Sequence, residues 1–257
     1  MVDEILVNRK DNGVVTISFN RPQRKNAIIY SMWEEMRQLF HEISQNEDDR
    51  VVIFTGEGDA FCAGADLGKE LSRLHPLRSM DSVNSAVLAL HEITRPTIAK
   101  VNGDAVGAGM NIALGCDLVV AGESARFSQI FVRRGLSVDF GGTWLLPRAV
   151  GMHKAKELAM LGEILSAREA EQMGLVNRVV ADNELDDFVD DWADRLAAGP
   201  PLALQMTKKM LSNAFNQGLP DALDAEATSQ SINLASEDTR EGVVAFIEKR
   251  DPVFKGR

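Results

Sequence analysis

Short apolar runs alternating with helical patterns constrain this chain most. Val51-Val52-Ile53-Phe54 is a run suited to a strand buried on both faces, and Thr97 to Val101 and Leu118 to Ala121 also read as strands. Helical periodicity fills the intervals. Trp33, Met36, Leu39, Phe40 and Ile43 follow a Ser31/Glu34 capping-box spacing, a helix is predicted from about Ser79 to Ile93 before Pro96, and Gly107 to Leu114 reads as a short helix. Strands separated by helices imply an α/β architecture with parallel pairing. Ahead of them, Glu4 to Asn8 and Val14 to Asn20 flank Asn12-Gly13, a hairpin turn pair. After about Thr143 the pattern changes. Ser166 and Glu169 repeat the capping-box spacing, Leu175 to Val180 reads as a last strand, and everything beyond Asn183 reads as helix, broken at Gly199-Pro200-Pro201 and Pro220. The predicted organisation is an α/β core over 1–183 and a helical region over 184–257, with no internal repeat and no low-complexity linker.

Composition removes whole classes of function. The hydrophobic share of 45% and charged share of 26% are those of a globular chain, not a disordered one. Two cysteines, Cys62 and Cys116, cannot build a disulfide framework or a four-thiolate zinc site, and they read as small buried residues. No His/Cys/Asp spacing suggests a metal. A net charge of −10 opposes nucleic acid and anionic lipid as partners. The start, Met1-Val2-Asp3-Glu4, lacks a basic leader, and no run of about 18 apolar residues would span a membrane. A cytoplasmic location is expected.

Two glycine-rich segments follow strands: Phe61-Cys62-Ala63-Gly64-Ala65-Asp66-Leu67 and Asn102-Gly103-Asp104-Ala105-Val106-Gly107-Ala108-Gly109-Met110-Asn111. Small residues let a ligand approach the backbone, and a helix start presents unpaired N–H groups. Two such segments could aim one N–H each at a single carbonyl oxygen as it becomes an enolate. Either segment alone reads equally as a tight turn. Neither is a dinucleotide fingerprint, since the third glycine is missing, and no Gly-Lys-Ser/Thr forms a phosphate loop.

Together with Asn20-Arg21-Pro22, Asn26-Ala27, Gly115-Cys116-Asp117, Gly135-Leu136, Gly141-Gly142-Thr143, Leu146-Pro147-Arg148 and Phe246-Ile247-Glu248-Lys249-Arg250, these segments resemble the crotonase (enoyl-CoA hydratase/isomerase) family over nearly the whole chain. The resemblance implies a spiral of ββα turns with a helical C-terminal region, assembly as a homotrimer or a hexamer of two trimers, and an acyl-CoA thioester substrate from fatty-acid or aromatic-acid catabolism. Coenzyme A is then part of the substrate, and no other cofactor is implied. The family's oxyanion-hole amides fall on Ala63 and Ala108. Substrate contacts fall on Lys25, Ala27, Ala63, Gly64, Ala65, Asp66, Leu67 and Gly109, and Phe246 and Lys249 match a pair that reaches a neighbour's adenosine and phosphate.

One departure decides the expected mechanism. The two glutamates with which family hydratases hold water fall on Asn111 and Phe131. An amide takes no proton at neutral pH, and a phenyl ring neither titrates nor binds water. Asp139 lies eight residues beyond Phe131, where several family isomerases carry an acid, and one carboxylate suffices to move a proton between two carbons. It reads otherwise as a turn residue or helix cap before Gly141-Gly142. A dehalogenase branch, with the aspartate as nucleophile, needs a histidine where Asn84 stands. The expectation is a double-bond isomerase using Asp139. The alternatives are a hydratase recruiting another acid and a non-catalytic acyl-CoA-binding protein. Asp66 and Asp117 are expected to close loops and cap elements, and Asp104 to face the ligand or a turn. The segment between Gly68 and Asn84 is expected to wall the acyl group.

Overall fold

The computed structural model describes residues 3–68 and 75–257. β1 (Ile5–Arg9) and β2 (Val14–Phe19) form the antiparallel hairpin, with Ile5 opposite Phe19. Gly13 turns it at φ 83°, and a Cβ there would meet the Asp48 carbonyl at 2.4 Å. α1 (Tyr30–Gln45) lays Met32, Trp33, Met36, Phe40 and Ile43 into the core. The helix starts before Ser31, so the expected Ser31/Glu34 capping box does not form. Glu34 instead bonds Arg37 and Gln38 along the exposed face.

Three successive ββα turns then wind up the core. β3 (Val51–Gly56), β4 (Ala60–Cys62) and α2 (Pro76–His91) make the first turn, and β5 (Thr97–Val101), β6 (Asp104–Val106) and α3 (Ala108–Gly115) the second. The third comprises β7 (Leu118–Gly122), β8 (Arg126–Ser128) and α4 (Gly142–Leu161). The first strand of each turn enters a six-stranded sheet and the second enters a four-stranded one. β9 (Leu165–Ser166), α5 (Ala167–Gln172) and β10 (Arg178–Val180) close the two sheets, and the Ser166/Glu169 capping box is present. The last strand is shorter than its apolar run, because the Leu175 N–H bonds the Ala170 carbonyl and closes α5 instead of joining a ladder.

Period-two alternation explains why Val51 to Phe54 of β3 are all apolar. Val52 and Phe54 face the main core beneath α1, whereas Val51 and Ile53 face Leu185, Val189, Ala193 and Ala197 of α6 (Leu185–Ala197). The first helix of the C-terminal region is therefore a layer of the core. α7 (Pro201–Asn213), α8 (Leu219–Ala235) and α9 (Glu237–Glu248) follow as a helical bundle, and the Gly199-Pro200-Pro201 break falls between α6 and α7. Leu219, Leu223, Leu234, Val243, Phe246 and Ile247 on α8 and α9 remain exposed.

Candidate functional site

Parallel pairing of β4 with β6 brings the two glycine-rich segments together, with Cys62 registered on Ala105. At Gly64 the chain takes φ 88°, and a Cβ there would lie 2.7 Å from the Val106 carbonyl and 3.3 Å from the Ala108 amide nitrogen. A Cβ on Gly109 would lie 2.0 Å from the Cys62 carbonyl. Glycine at both positions lets the start of α3 press against the end of β4.

The direction of each amide follows from this pairing. The Ala63 N–H donates to the Lys25 carbonyl at 2.9 Å, so it is spent within the fold. That bond argues against the expected Ala63 donor. Ala65 forms a single parallel bridge with Ile28. The bonds of the bridge run from the Ile28 N–H to the Gly64 carbonyl and from the Asp66 N–H to the Ile28 carbonyl, each 2.8 Å. The Ala65 N–H points to the opposite side and has no partner among the described residues. Ala108 opens α3 behind Gly107, whose φ is 57°, and its N–H is one of the unpaired first-turn donors. Ala65 and Ala108 are thus neighbouring donors left open among the described residues. Phe131, buried, approaches within 3.6 Å of where a Gly107 Cβ would stand.

Ion pairs brace the rim. Asp104 is held between Lys25 (2.8 Å) and Arg126 (2.8 Å). Burial pushes its carboxyl up, but the hydrogen bonds from Arg126 and Lys25 outweigh this and hold it below the usual carboxylate range. Asp66 accepts from the Gly68 N–H and pairs with Arg21 at 2.9 Å, and both lower its pKa. Arg21 also donates to the Ala27 carbonyl. Asp117 receives the Thr97 N–H and hydroxyl and pairs with Lys208 at 2.7 Å. Each of these carboxylates is held in an ion pair. Lys25 sits at φ 49° and is exposed, as is Leu67.

Asp139 differs from all of them. Its Oδ1 is buried without a hydrogen-bond partner among the described residues, and burial alone pushes the carboxyl up to about 6. The following turn is strained: Phe140 has φ 46° and Gly141 φ 72°. The Phe140 ring packs against Trp33 at 5.4 Å between centroids. Asn111, fully buried on α3, donates its Nδ2 to the Asp139 main-chain carbonyl at 2.8 Å and accepts from Gln129 Nε2 at 2.6 Å. Gln129 carried no signal in the sequence; only the fold brings a glutamine 18 positions away onto that amide. A cavity of about 350 Å³ lies beside this turn, lined by Val87, Leu90, Phe140, Trp144 and Leu145, with Asn111 and His91 among its polar edges.

The remaining expected residues stand elsewhere. Phe246 and Lys249 lie on α9 and at its C-cap, exposed, and share no hydrogen bond or ion pair with the rim among the described residues. Cys62 and Cys116 are free and buried; burial pushes the Cys62 thiol up to about 12 and the Cys116 thiol higher still. Among the described residues no group of three or more His, Cys, Asp or Glu side chains could hold a metal, and no helix is long and apolar enough to cross a membrane. The acyl wall expected between Gly68 and Asn84 is described only from residue 75 onward, and Asn84 is exposed on α2.

Comparison with known proteins gives a consistent result. The family profile described as "Enoyl-CoA hydratase/isomerase" matches residues 9–257. The chain is 36% identical to the 1,2-epoxyphenylacetyl-CoA isomerase of Escherichia coli (strain K12) over 99% of both chains. It is 35% identical to the 2,3-dehydroadipyl-CoA hydratase of the same organism over 100% of both. The crystal structure of an enoyl-CoA hydratase from Bacillus anthracis superposes with a TM-score of 0.94 at 33% identity, covering 99% of this chain and 100% of that one.

Proposed function

The chain belongs to the enoyl-CoA hydratase/isomerase family, and from that membership and the character of Asp139 we propose that it shifts a double bond within an acyl-CoA thioester. The thioester oxygen accepts from the Ala65 and Ala108 amides. Negative charge that develops on it as the α- or γ-proton leaves is met by two fixed dipoles that need no reorganisation. The Asp139 carboxylate takes that proton, the electron pair delocalises as a dienolate, and the Asp139 carboxylic acid, whose proton exchanges with solvent, returns a proton at the other end. Atoms and charge balance, and no water enters the chemistry.

The observation that carries this reading is the solitary acid. A carboxylate that hydrogen bonds and ion pairs leave free among the described residues, pushed up to about 6 by burial, is poised to accept and release a proton near neutrality. At the two hydratase positions Asn111 is engaged by the backbone and Gln129, and Phe131 is a ring. The name of one relative, an isomerase of 1,2-epoxyphenylacetyl-CoA, supports isomerisation of an acyl-CoA over water addition. Water addition is the second reading, favoured by the hydratase name of another. It needs a second titratable group beside Asp139, and none among the described residues contributes to the shift of that carboxyl.

The apolar cavity fits a hydrocarbon or aromatic acyl group. The loops carrying Lys25, Ala27, Gly64, Ala65, Asp66, Leu67 and Gly109 would hold the pantetheine and phosphates. Phe246 and Lys249 would contact the adenosine of a neighbouring chain in a homotrimer or a hexamer. Turnover decides the matter: trans-3-hexenoyl-CoA should convert to the conjugated 2-enoyl thioester with solvent-deuterium exchange, while 2-hexenoyl-CoA should gain no water. Rapid hydration without isomerisation would transfer the assignment to the second reading. Binding without either reaction would leave an acyl-CoA-binding protein.

A further inference from the structure

Asn111 is a fully buried polar side chain on α3 that the proposed chemistry does not use. Its orientation is settled by its partners. The Asp139 main-chain oxygen can only accept, so Asn111 must present Nδ2 to it, at 2.8 Å. The Asn111 oxygen then faces Gln129, which must present Nε2, at 2.6 Å. Both side chains are buried, and Gln129 Oε1 has no partner among the described residues, so Gln129 spends its hydrogen-bonding capacity on Asn111.

The carbonyl so held begins the strained turn. It also accepts the Gly142 N–H at 3.0 Å, and a Cβ on Gly142 would come within 2.4 Å of Asn111 Nδ2. Glycine there is what admits the asparagine. Two residues of positive φ, Phe140 and Gly141, lie between the pinned carbonyl and the start of α4. Such backbone persists only where its surroundings hold it from several sides. The ring of Phe140 on Trp33 is one anchor and the Asn111 amide is the other.

We propose that Asn111, clamped by Gln129, is a positioning residue that holds the main chain of Asp139 and so keeps its Oδ1 buried away from water. The inference rests on Asp139 being the proton carrier. It also gives a reason for an amide at a hydratase glutamate position: a carboxylate has no donor for the Asp139 carbonyl and would add a like charge beside the acid. Among the described residues, the groups shown against the turn are Asn111 from α3, Gln129 before the short helical turn that holds Phe131, Gly142 from α4 and, through Phe140, Trp33 from α1, none of them charged. His91, at the α2 side of the cavity, is the titratable side chain that shares the cavity with Asn111.

The test is the titration of the Asp139 carboxyl by infrared spectroscopy of the substrate-free protein, its band assigned by loss in Asp139→Asn. Wild type should titrate near 6. Asn111→Ala keeps a good helix former on α3 but frees the turn and admits water, so the titration should fall at least tenfold in proton affinity toward the ordinary carboxylate range. Gln129→Met should move it in the same direction by less. The double variant should match Asn111→Ala, because the two act in series. With trans-3-hexenoyl-CoA, Asn111→Ala should lose tenfold or more in kcat while KM stays within threefold. Wild-type titration in both single variants overturns the inference; should Asn111→Ala not fold, Gln129→Met alone decides by the same reading. Full turnover by Asp139→Asn would instead overturn the proton-carrier reading, and the titration would still judge the strut.

Discussion

Asp139 shows what burial does to a single side chain. Its carboxyl rises from the ordinary 3.8 to about 6 through desolvation, with no ion pair to offset it. If it carries the proton, Asp139→Asn should cut turnover by ~10²–10⁴, with acyl-CoA affinity nearly unchanged and substrate deuterium exchange abolished. Wild-type kcat/KM should rise with pH through about 6 as the base form appears. Stability should move the other way. An acid whose folded pKa is raised contributes its full stability below the unfolded value and loses it as pH rises through the folded one, so wild type should weaken between about 4 and 6. Asparagine escapes that loss. Asp139→Asn should therefore be more stable by roughly 1–2 kcal/mol at pH 7–8 and no more stable below pH 4, measured by denaturant titration at each pH. Gly64 is a second case, because its φ of 88° and the Val106 carbonyl 2.7 Å from a would-be Cβ leave no room for a side chain. Gly64→Ala should displace Ala65 and lower turnover at least ~10-fold, through misplacement of a reacting group. Unchanged kinetics would detach that loop from the chemistry.

At the scale of elements, the start of α3 combines packing and function. Its first N–H groups are unpaired because an α-helix has no internal partner for them, and Ala108 presents one beside Gly64. Proline is tolerated at the first helical position, where its missing N–H breaks no helix bond. Ala108→Pro should consequently fold with unchanged circular dichroism yet lose ~10²–10³ in turnover, the usual cost of one oxyanion donor. Normal turnover by that folded variant would remove the amide from the mechanism. One residue further on, the constraint is steric. A methyl at Gly109 would meet the Cys62 carbonyl at 2.0 Å, a backbone atom that cannot rotate away. Gly109→Ala should cost about 1–3 kcal/mol or more in a denaturant melt, because overpacking here separates α3 from β4.

The molecule as a whole buries its sheet well and its last helices poorly. α6 covers one face of the six-stranded sheet with Leu185, Val189, Ala193 and Ala197, whereas Phe246 is 84% exposed and Ile247 72% exposed on α9. Exposed large apolar side chains of this kind are what the proposed assembly would cover. Sedimentation at micromolar concentration should find a trimer or hexamer and no stable monomer. Phe246→Glu should weaken that assembly while the core's melting changes little. A wild-type monomer under those conditions would refute the proposed assembly.

Local chemistry made much of this legible in advance. The apolar run at 51–54 specifies a strand because burial on both faces leaves no polar position, 97–101 and 118–121 follow as largely apolar stretches, and Gly13 and the Ser166/Glu169 pair mark a turn and a cap through their own backbone needs. The order of the glycine-rich segments sufficed to recognise the family, and the missing glutamates at 111 and 131 sufficed to doubt hydration. Direction was not legible. Whether Ala63 or Ala65 turns its N–H toward a ligand depends on which of them bonds across to the Lys25–Ile28 segment, a pairing between stretches nearly forty residues apart. Gln129 reaches Asn111, and Asn111 reaches the Asp139 carbonyl, only after β8 and α3 pack together. Composition and periodicity report what each residue prefers. Hydrogen-bond direction and desolvation belong to the neighbours that folding supplies, and tertiary structure alone chooses those neighbours.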